Sequence, residues 1–265
     1  MCYGFLQPET RMLTPSESVA SEAAALARQF NRIEFYEPDE VIEAIARRTI
    51  SGALTINEAL RIASIHHDAS AKEIDQRRLW DPFGDRATRG ILRNSVATSD
   101  PAKLEKLEFI ATSFGMAFAV THLHAAATIT LDTWLDVHRM LFGDVFPTWA
   151  GRIREHPVGR GPVRFNLPHL VRTEAAAVFT EAAAPGFVAA NLGYVYGELA
   201  FHHPFYDGNG RSLNTVFNEM LRRSGLSLDW ERLEPHDYLE ALTPAVLLRD
   251  YSRLDSFFRN LVTDI

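Results

Sequence analysis

Apolar residues along this chain recur mostly three and four positions apart, and strict alternation is scarce. That pattern predicts helices rather than strands. After a loose lead with Pro8 and Pro15, Ser16 or Ser18 caps a helix through Ala20 to about Phe30. Pro38-Asp39 opens a second helix through Val41, Ile42, Ile45 and Arg48, and Ser51-Gly52 ends it. Thr55, with Glu58 three residues on, forms a capping box for a third helix that reaches about Lys72. These helices form a compact annex over residues 1–75, and residues 76–265 form the main domain.

Past a turn-rich loop from Asp81 to Leu92, Ser99-Asp100-Pro101 starts a helix carrying Leu104, Leu107, Ile110 and Phe114. Leu131-Asp132 starts another with Trp134, Leu135, Val137, His138 and Leu141, stopped by Gly143-Asp144. One hairpin pattern stands out: Arg152-Ile153-Arg154 and Val163-Arg164-Phe165 flank a turn at Gly159-Arg160-Gly161-Pro162. A helix follows Pro168 through Val171, Val178 and Phe179. The apolar run Leu192 to Phe201 and the later Val216, Met220 and Leu221 give two helices with a glycine-containing turn between them. Pro235 and Pro244 break the remainder into short helices, with Trp230, Tyr238, Leu242 and Phe257 as core. The expected fold is mostly α, a helical bundle with a small hairpin and an N-terminal helical annex.

Composition narrows the function. The chain has 265 residues, and its 46% hydrophobic content can fill a core. A formal charge of −7 argues against a nucleic-acid binder that works by neutralising phosphates. The single cysteine, Cys2, leaves no intramolecular disulfide to mark an oxidising compartment. No apolar stretch reaches the roughly 18 residues that would suggest a membrane span, and the N-terminus lacks a usual secretion signal. The cytoplasm is the expected compartment; delivery into another cell through some other signal stays open.

The chemistry concentrates in residues 203–211, His-Pro-Phe-Tyr-Asp-Gly-Asn-Gly-Arg. His203 is a base candidate, and Asp207 can hold a cation. Gly208, Asn209 and Gly210 open a helix whose free N–H groups and dipole favour a phosphate. Arg211 adds a planar donor fork that lysine does not imitate. Adjacent His202 and His203 point about 100° apart on a helix, so they do not suit one shared metal ion. His66 and His67 are expected in solvent, and His138, on an apolar face, as a satisfied core histidine. No cysteine cluster supports zinc. No P-loop and no Gly-x-Ser-x-Gly elbow is present.

This segment resembles the signature of the Fic family, His-x-Phe-x-Asp/Glu-Gly-Asn-Gly-Arg-x-x-Arg, through Arg211. Gly90-Ile91-Leu92-Arg93-Asn94, Phe142 to Phe146 and Trp149-Ala150-Gly151 are similar to the stretches leading into the family's flap, and the likeness covers about residues 80–245. The resemblance implies a Fic-type helical bundle that transfers AMP from ATP to a hydroxyl side chain of a target protein, releasing pyrophosphate. It implies His203 as general base and Asp207 as the Mg²⁺ ligand. Gly208, Asn209, Gly210, Arg211 and the residue at 214 would hold the nucleotide. Phe205 would anchor the loop, and the target would lie along the flap around Gly159–Phe165.

Two departures matter. The family's final arginine falls on Asn214. Losing one charged hydrogen bond, worth about 1.5–3 kcal/mol, would weaken triphosphate binding. The annex resembles the small antitoxin partner of Fic toxins through Arg32-Ile33-Glu34, Glu37-Pro38 and Ile50 to Ala59, which implies intramolecular inhibition through Glu34. Yet Phe30 and Phe35 stand where that inhibitory motif has Ser/Thr and Gly/Asn. Two rivals remain open: transfer of UMP, phosphocholine or phosphate on the same fold, and a degraded domain that only binds a nucleotide or partner.

Overall fold

Helix α4 (Pro101–Ala125) forms the axis on which the other helices pack. Its buried residues run all round, from Leu104 and Leu107 to Val120 and Leu123, as expected of a helix enclosed by others. Asp100 caps it, accepting from the Ala102 and Lys103 N–H groups, and Pro101 lies in its first turn. Gly115 lets a neighbour approach closely: a Cβ there would lie 2.1 Å from the Met140 carbonyl oxygen. That neighbour is α5 (Leu131–Phe142).

This computed structural model describes residues 16–65, 92–98 and 100–265. The lead segment, His66 and His67, the far end of the third helix and most of the 81–92 loop fall outside these residues. In the annex, α1 (Glu17–Ile33), α2 (Glu40–Ile50) and α3 (Ile56–Ile65) start where the caps predicted. Ser16 accepts from Val19, Asp39 from Ile42, and Thr55 and Glu58 exchange backbone N–H bonds. The annex shares one hydrophobic core with the rest of the chain. Phe30 is fully buried with its ring edge-on to Trp230 at 4.8 Å. Arg32 donates to the carbonyls of Trp230, Glu231 and Leu233 at 2.8–3.1 Å.

The hairpin sits further along the chain than the sequence suggested. Its strands are β1 (Gly159–Arg160) and β2 (Val163–Arg164), paired antiparallel with Arg160 opposite Val163. Arg152–Arg154 is not a strand, because Arg154 turns inward and is 2% exposed. Helices α6 (Pro168–Ala182) and α7 (Phe187–Ala190) lead to α8 (Leu192–His202) and α9 (Asn209–Arg223), the pair that brackets the motif.

Pro235 begins α10 (Pro235–Leu248), but Pro244 lies inside that helix instead of ending it. Packing of Tyr238, Ala241, Ala245 and Val246 against neighbouring helices outweighs proline's local cost of ~3 kcal/mol. The helix ends at Arg249, which adopts φ 61°. Helix α11 (Ser252–Arg259) buries Phe258, whereas the expected core residues Leu242 and Phe257 are only half-buried. A ribbon of β3 (Leu226–Leu228) and β4 (Val262–Asp264) was not foreseen. Three-residue strands so far apart carry no alternation to read.

Candidate active site

The motif turn is held in an unusual backbone shape at both ends. His203 ends α8 with φ 44°, a left-handed conformation that costs a non-glycine residue about 1–2 kcal/mol. Gly208 begins α9 with φ 71°, and a Cβ there would fall 2.4 Å from the Phe142 ring. Glycine at 208 is therefore demanded twice.

Three side chains lock this turn. Asn209 bonds both ways to Phe205, accepting from its N–H at 2.9 Å and donating to its carbonyl at 3.0 Å. The Asn209 side chain thus shapes the loop, and its backbone is what remains for a ligand. His138, fully buried, accepts from the Gly151 N–H on Nδ1 at 2.9 Å, so Nε2 carries its proton toward the Asp207 carbonyl at 2.9 Å. Its ring stacks on Phe205 at 3.6 Å. Burial holds the His138 pKa down at about 3, with the Asp207 carbonyl acting the other way and Arg211 and Arg139 lowering it further. Arg154 donates to the carbonyls of His203 (2.7 Å), His156 (2.8 Å) and Asn166. Its backbone N–H bonds the Pro204 carbonyl at 2.8 Å. Among the described residues this buried guanidinium has no carboxylate partner; it neutralises the negative C-terminal end of α8.

His203 itself is half-buried, with its ring stacked on Phe165 of the hairpin at 3.6 Å and 10°. Loss of water around the ring, then the Arg154 charge, push its pKa down to about 3. The Ala200 carbonyl pulls the other way and Arg160 lowers it slightly further. The imidazole is neutral at pH 7 and can accept a proton.

Two adjoining cavities meet at His203. One, of about 270 Å³, is lined by the motif residues from Tyr206 to Arg211 and by Arg160 and Glu34. The other, of about 310 Å³, is an apolar slot between the hairpin and α8 and α10, with Leu199, Leu239, Leu242 and Val246 on its walls and Tyr196 and Tyr238 as polar members. No side chain caps α9, so the N–H groups of Asn209, Gly210 and Arg211 are free of helical partners and face the first cavity. Asp207, half-exposed, lines the same wall; its Oδ1 accepts from Gly208 at 2.6 Å.

Arg211 is buried and already engaged. It donates to Glu108 Oε2 at 2.6 Å and to Asn31 Oδ1 at 3.5 Å, and it lies over the Phe142 ring at 4.7 Å. Burial alone would lower its pKa, but Glu108, Asp207 and Glu34 outweigh it and hold the guanidinium charged. Asn214 is 1% exposed and lines neither cavity. Its Oδ1 accepts from the Tyr196 hydroxyl at 2.6 Å, and Tyr196 in turn shares a 2.6 Å bond with Tyr238. Glu34, at the C-terminal end of α1, lines both cavities, with Oε1 directly over Gly210.

The sequence singled out His203, Asp207, the glycines and Arg211, and the structure brings them to one cavity. It missed Arg154, read as a strand residue, and Glu108, although a lone acid between Leu107 and Phe109 was a visible signal. His138 is the buried, satisfied histidine expected, with the added task of holding the Asp207 carbonyl.

For a metal, the cavity offers the carboxylates of Asp207 and Glu34, and no cluster of three His, Cys, Asp or Glu ligands occurs among the described residues. That set fits Mg²⁺, which takes one or two carboxylates and completes its shell with phosphate oxygens and water. No helix among the described residues is long and apolar enough to cross a membrane.

Comparisons with known proteins agree with this geometry. The profile of the Fic/DOC family matches residues 128–221, which include α5, the hairpin, α8 and most of α9. Protein adenylyltransferase VbhT of Bartonella schoenbuchensis is 28% identical over 169 residues, covering 61% of this chain and 35% of that protein. Probable protein adenylyltransferase y4lH of Sinorhizobium fredii is 32% identical over 115 residues, covering 40% of this chain and 59% of that protein. The chain thus spans between about a third and three fifths of these two relatives. Among solved structures, the BepC effector of Bartonella tribocorum with bound AMPPNP superposes with TM-score 0.55 at 18% identity, covering 66% of this chain and 93% of that one. The ADP-bound Fic domain of a Bartonella quintana effector gives 0.55 at 20% identity, covering 65% and 91%. The motif, the shape of its turn and these likenesses converge on one stretch: residues 128–221 match the Fic/DOC family.

Proposed function

We propose that the chain transfers AMP from ATP to a hydroxyl side chain of a target protein. The observation that carries this reading is the position of His203, neutral and half-buried, where the apolar slot meets the N–H groups of α9. The slot suits a flat base, and the α9 end suits phosphates. His203 takes the proton of the incoming hydroxyl as its oxygen bonds the α-phosphorus; the bond from that phosphorus to pyrophosphate breaks, and pyrophosphate leaves. The backbone of Asn209, Gly210 and Arg211 steadies the phosphate oxygens. Asp207 would hold Mg²⁺, which when bound neutralises phosphate charge. The relatives named as adenylyltransferases support the same chemistry.

The target would lie along the hairpin around Gly159–Phe165, where backbone pairing fixes an extended segment whatever its side chains. Glu34 over Gly210 supports restraint from within the chain, because a carboxylate there repels a triphosphate. Incubation with labelled ATP, UTP, CTP and GTP, followed by mass measurement of modified protein, tests the reading. Label transfer from ATP with a gain of one AMP is expected. Transfer from another donor alone, or none from any donor after Glu34→Gly, would sink it.

A further inference from the structure

We propose that Arg160, on the first strand of the hairpin, binds the terminal phosphate of the nucleotide and stands in for the arginine that the motif lacks at position 214. The proposal rests on the nucleotide-transfer reading above and names a residue for it. Position 214 has no route to the phosphates: Asn214 is sealed beneath the cavities and spends its carbonyl on Tyr196. Arg211 is present, but its charge is matched by Glu108 at 2.6 Å and its second amino group faces Asn31.

Arg160 differs on each count. It is exposed, its side chain makes no hydrogen bond and no ion pair among the described residues, and its charge acts on neighbouring Glu34. Arg160 lines both cavities, as do Glu34, His203, Phe165, Asn209 and Gly210. It therefore stands at the junction where a nucleotide's phosphates would leave the slot. Glu34 shares that junction with it, and Asp207 lines the adjoining cavity. A triphosphate keeps net negative charge even with one divalent ion, and Arg160 is the uncommitted guanidinium lining its path. The planar fork suits a phosphate better than an ammonium does. The β1–β2 turn, with Gly161 at φ 59° followed by Pro162, carries the fork over the cavity from the hairpin side. Triphosphate binding would in this way be tied to the hairpin on which the target docks.

The test is binding of AMP, ADP and ATP with Mg²⁺, measured by calorimetry, to the parent, Arg160→Gln and Arg160→Lys. Each is repeated in the Glu34→Gly background. Arg160→Gln should lose roughly 10- to 150-fold in ATP affinity and leave AMP within about twofold. Arg160→Lys should fall between. If the parent binds AMP and ATP and Arg160→Gln binds ATP equally well in both backgrounds, the assignment is wrong. An equal loss for AMP and ATP also overturns it, since the fork would then not be reading the terminal phosphate. A parent that binds none of the three in either background overturns the nucleotide reading, and this assignment with it.

Discussion

Glu34 Oε1 occupies the space above Gly210 so closely that a Cβ on that glycine would lie 2.1 Å away. The residue that caps the C-terminal end of α1 and the N-terminal turn of α9 are thus fitted to each other. A carboxylate in this position faces the same N–H groups that a phosphate would use. Glu34→Gly should raise AMP transfer roughly tenfold or more, since one unscreened charge costs ~1–4 kcal/mol at contact distance. Asn214→Arg should gain little with or without Glu34→Gly, because position 214 is buried and its carbonyl is committed to Tyr196. A labelled-transfer assay of the parent and Glu34→Gly decides the role of Glu34; equal rates would leave the annex as structural cover.

Phe35 carries a strain that is relieved by a small residue. It has φ 62° and follows the end of α1, with its N–H on the Arg32 carbonyl (2.9 Å) and the Tyr36 N–H on the Asn31 carbonyl (3.0 Å). This is the Schellman arrangement, whose left-handed position favours glycine. Phe35 is 52% exposed, lies with its ring 5.1 Å from the His236 ring and lines the edge of the apolar slot. Phe35→Gly should therefore stabilise the protein by about 1 kcal/mol, seen as a rise of about 2–4 °C in Tm by calorimetry. No rise would mean that the ring contact outweighs the backbone strain.

His203→Ala should lower transfer by about 10²–10⁴ with the fold intact. Because the His203 pKa lies near 3, the neutral base persists well below pH 6. The acid limb of the rate profile should accordingly fall below about pH 5 and not near 6.5. Circular dichroism of the variant, with rate profiles of the parent, checks both halves. A limb near 6.5 would place His203 in a far wetter setting.

His138 gives a pH signature in stability instead. Its folded pKa of about 3 is depressed below the unfolded value of 6.5. Between these values the unfolded chain binds the extra proton, so the contribution of His138 is full above pH 6.5 and is lost as pH falls toward 3. His138→Gln should be destabilising at pH 7.5, and its penalty should shrink by about 2 kcal/mol at pH 5, at ~1.36 kcal/mol per unit. Urea unfolding at the two pH values measures this; a constant penalty would argue against a neutral buried ring.

Much of the bundle was legible because caps and apolar spacing are local. Ser16, Asp39, Thr55, Asp100 and Pro168 each mark a helix start within a residue or two. The candidate site was legible as a cluster because the residues that meet at its cavity lie largely within nine consecutive positions. What escaped depended on contacts distant in sequence. Arg154 looked like a strand residue until the carbonyls of 156, 166 and 203 were seen around it. Asn214 occupies a nucleotide-binding position in the motif register, but its carbonyl is committed to Tyr196, eighteen residues earlier. Pro244 looked like a break because the packing that carries α10 through it comes from other helices.

The buried cation of Arg154 also divides the hairpin mechanically. Its guanidinium grips carbonyls just before the hairpin, at 156, just after it, at 166, and in the motif turn, at 203. Any lifting of the hairpin's root would strand a desolvated charge, so the root and His203 move as one body. Motion of the hairpin is thereby confined to the tip around Arg160–Val163, which can flex without disturbing the alignment of His203.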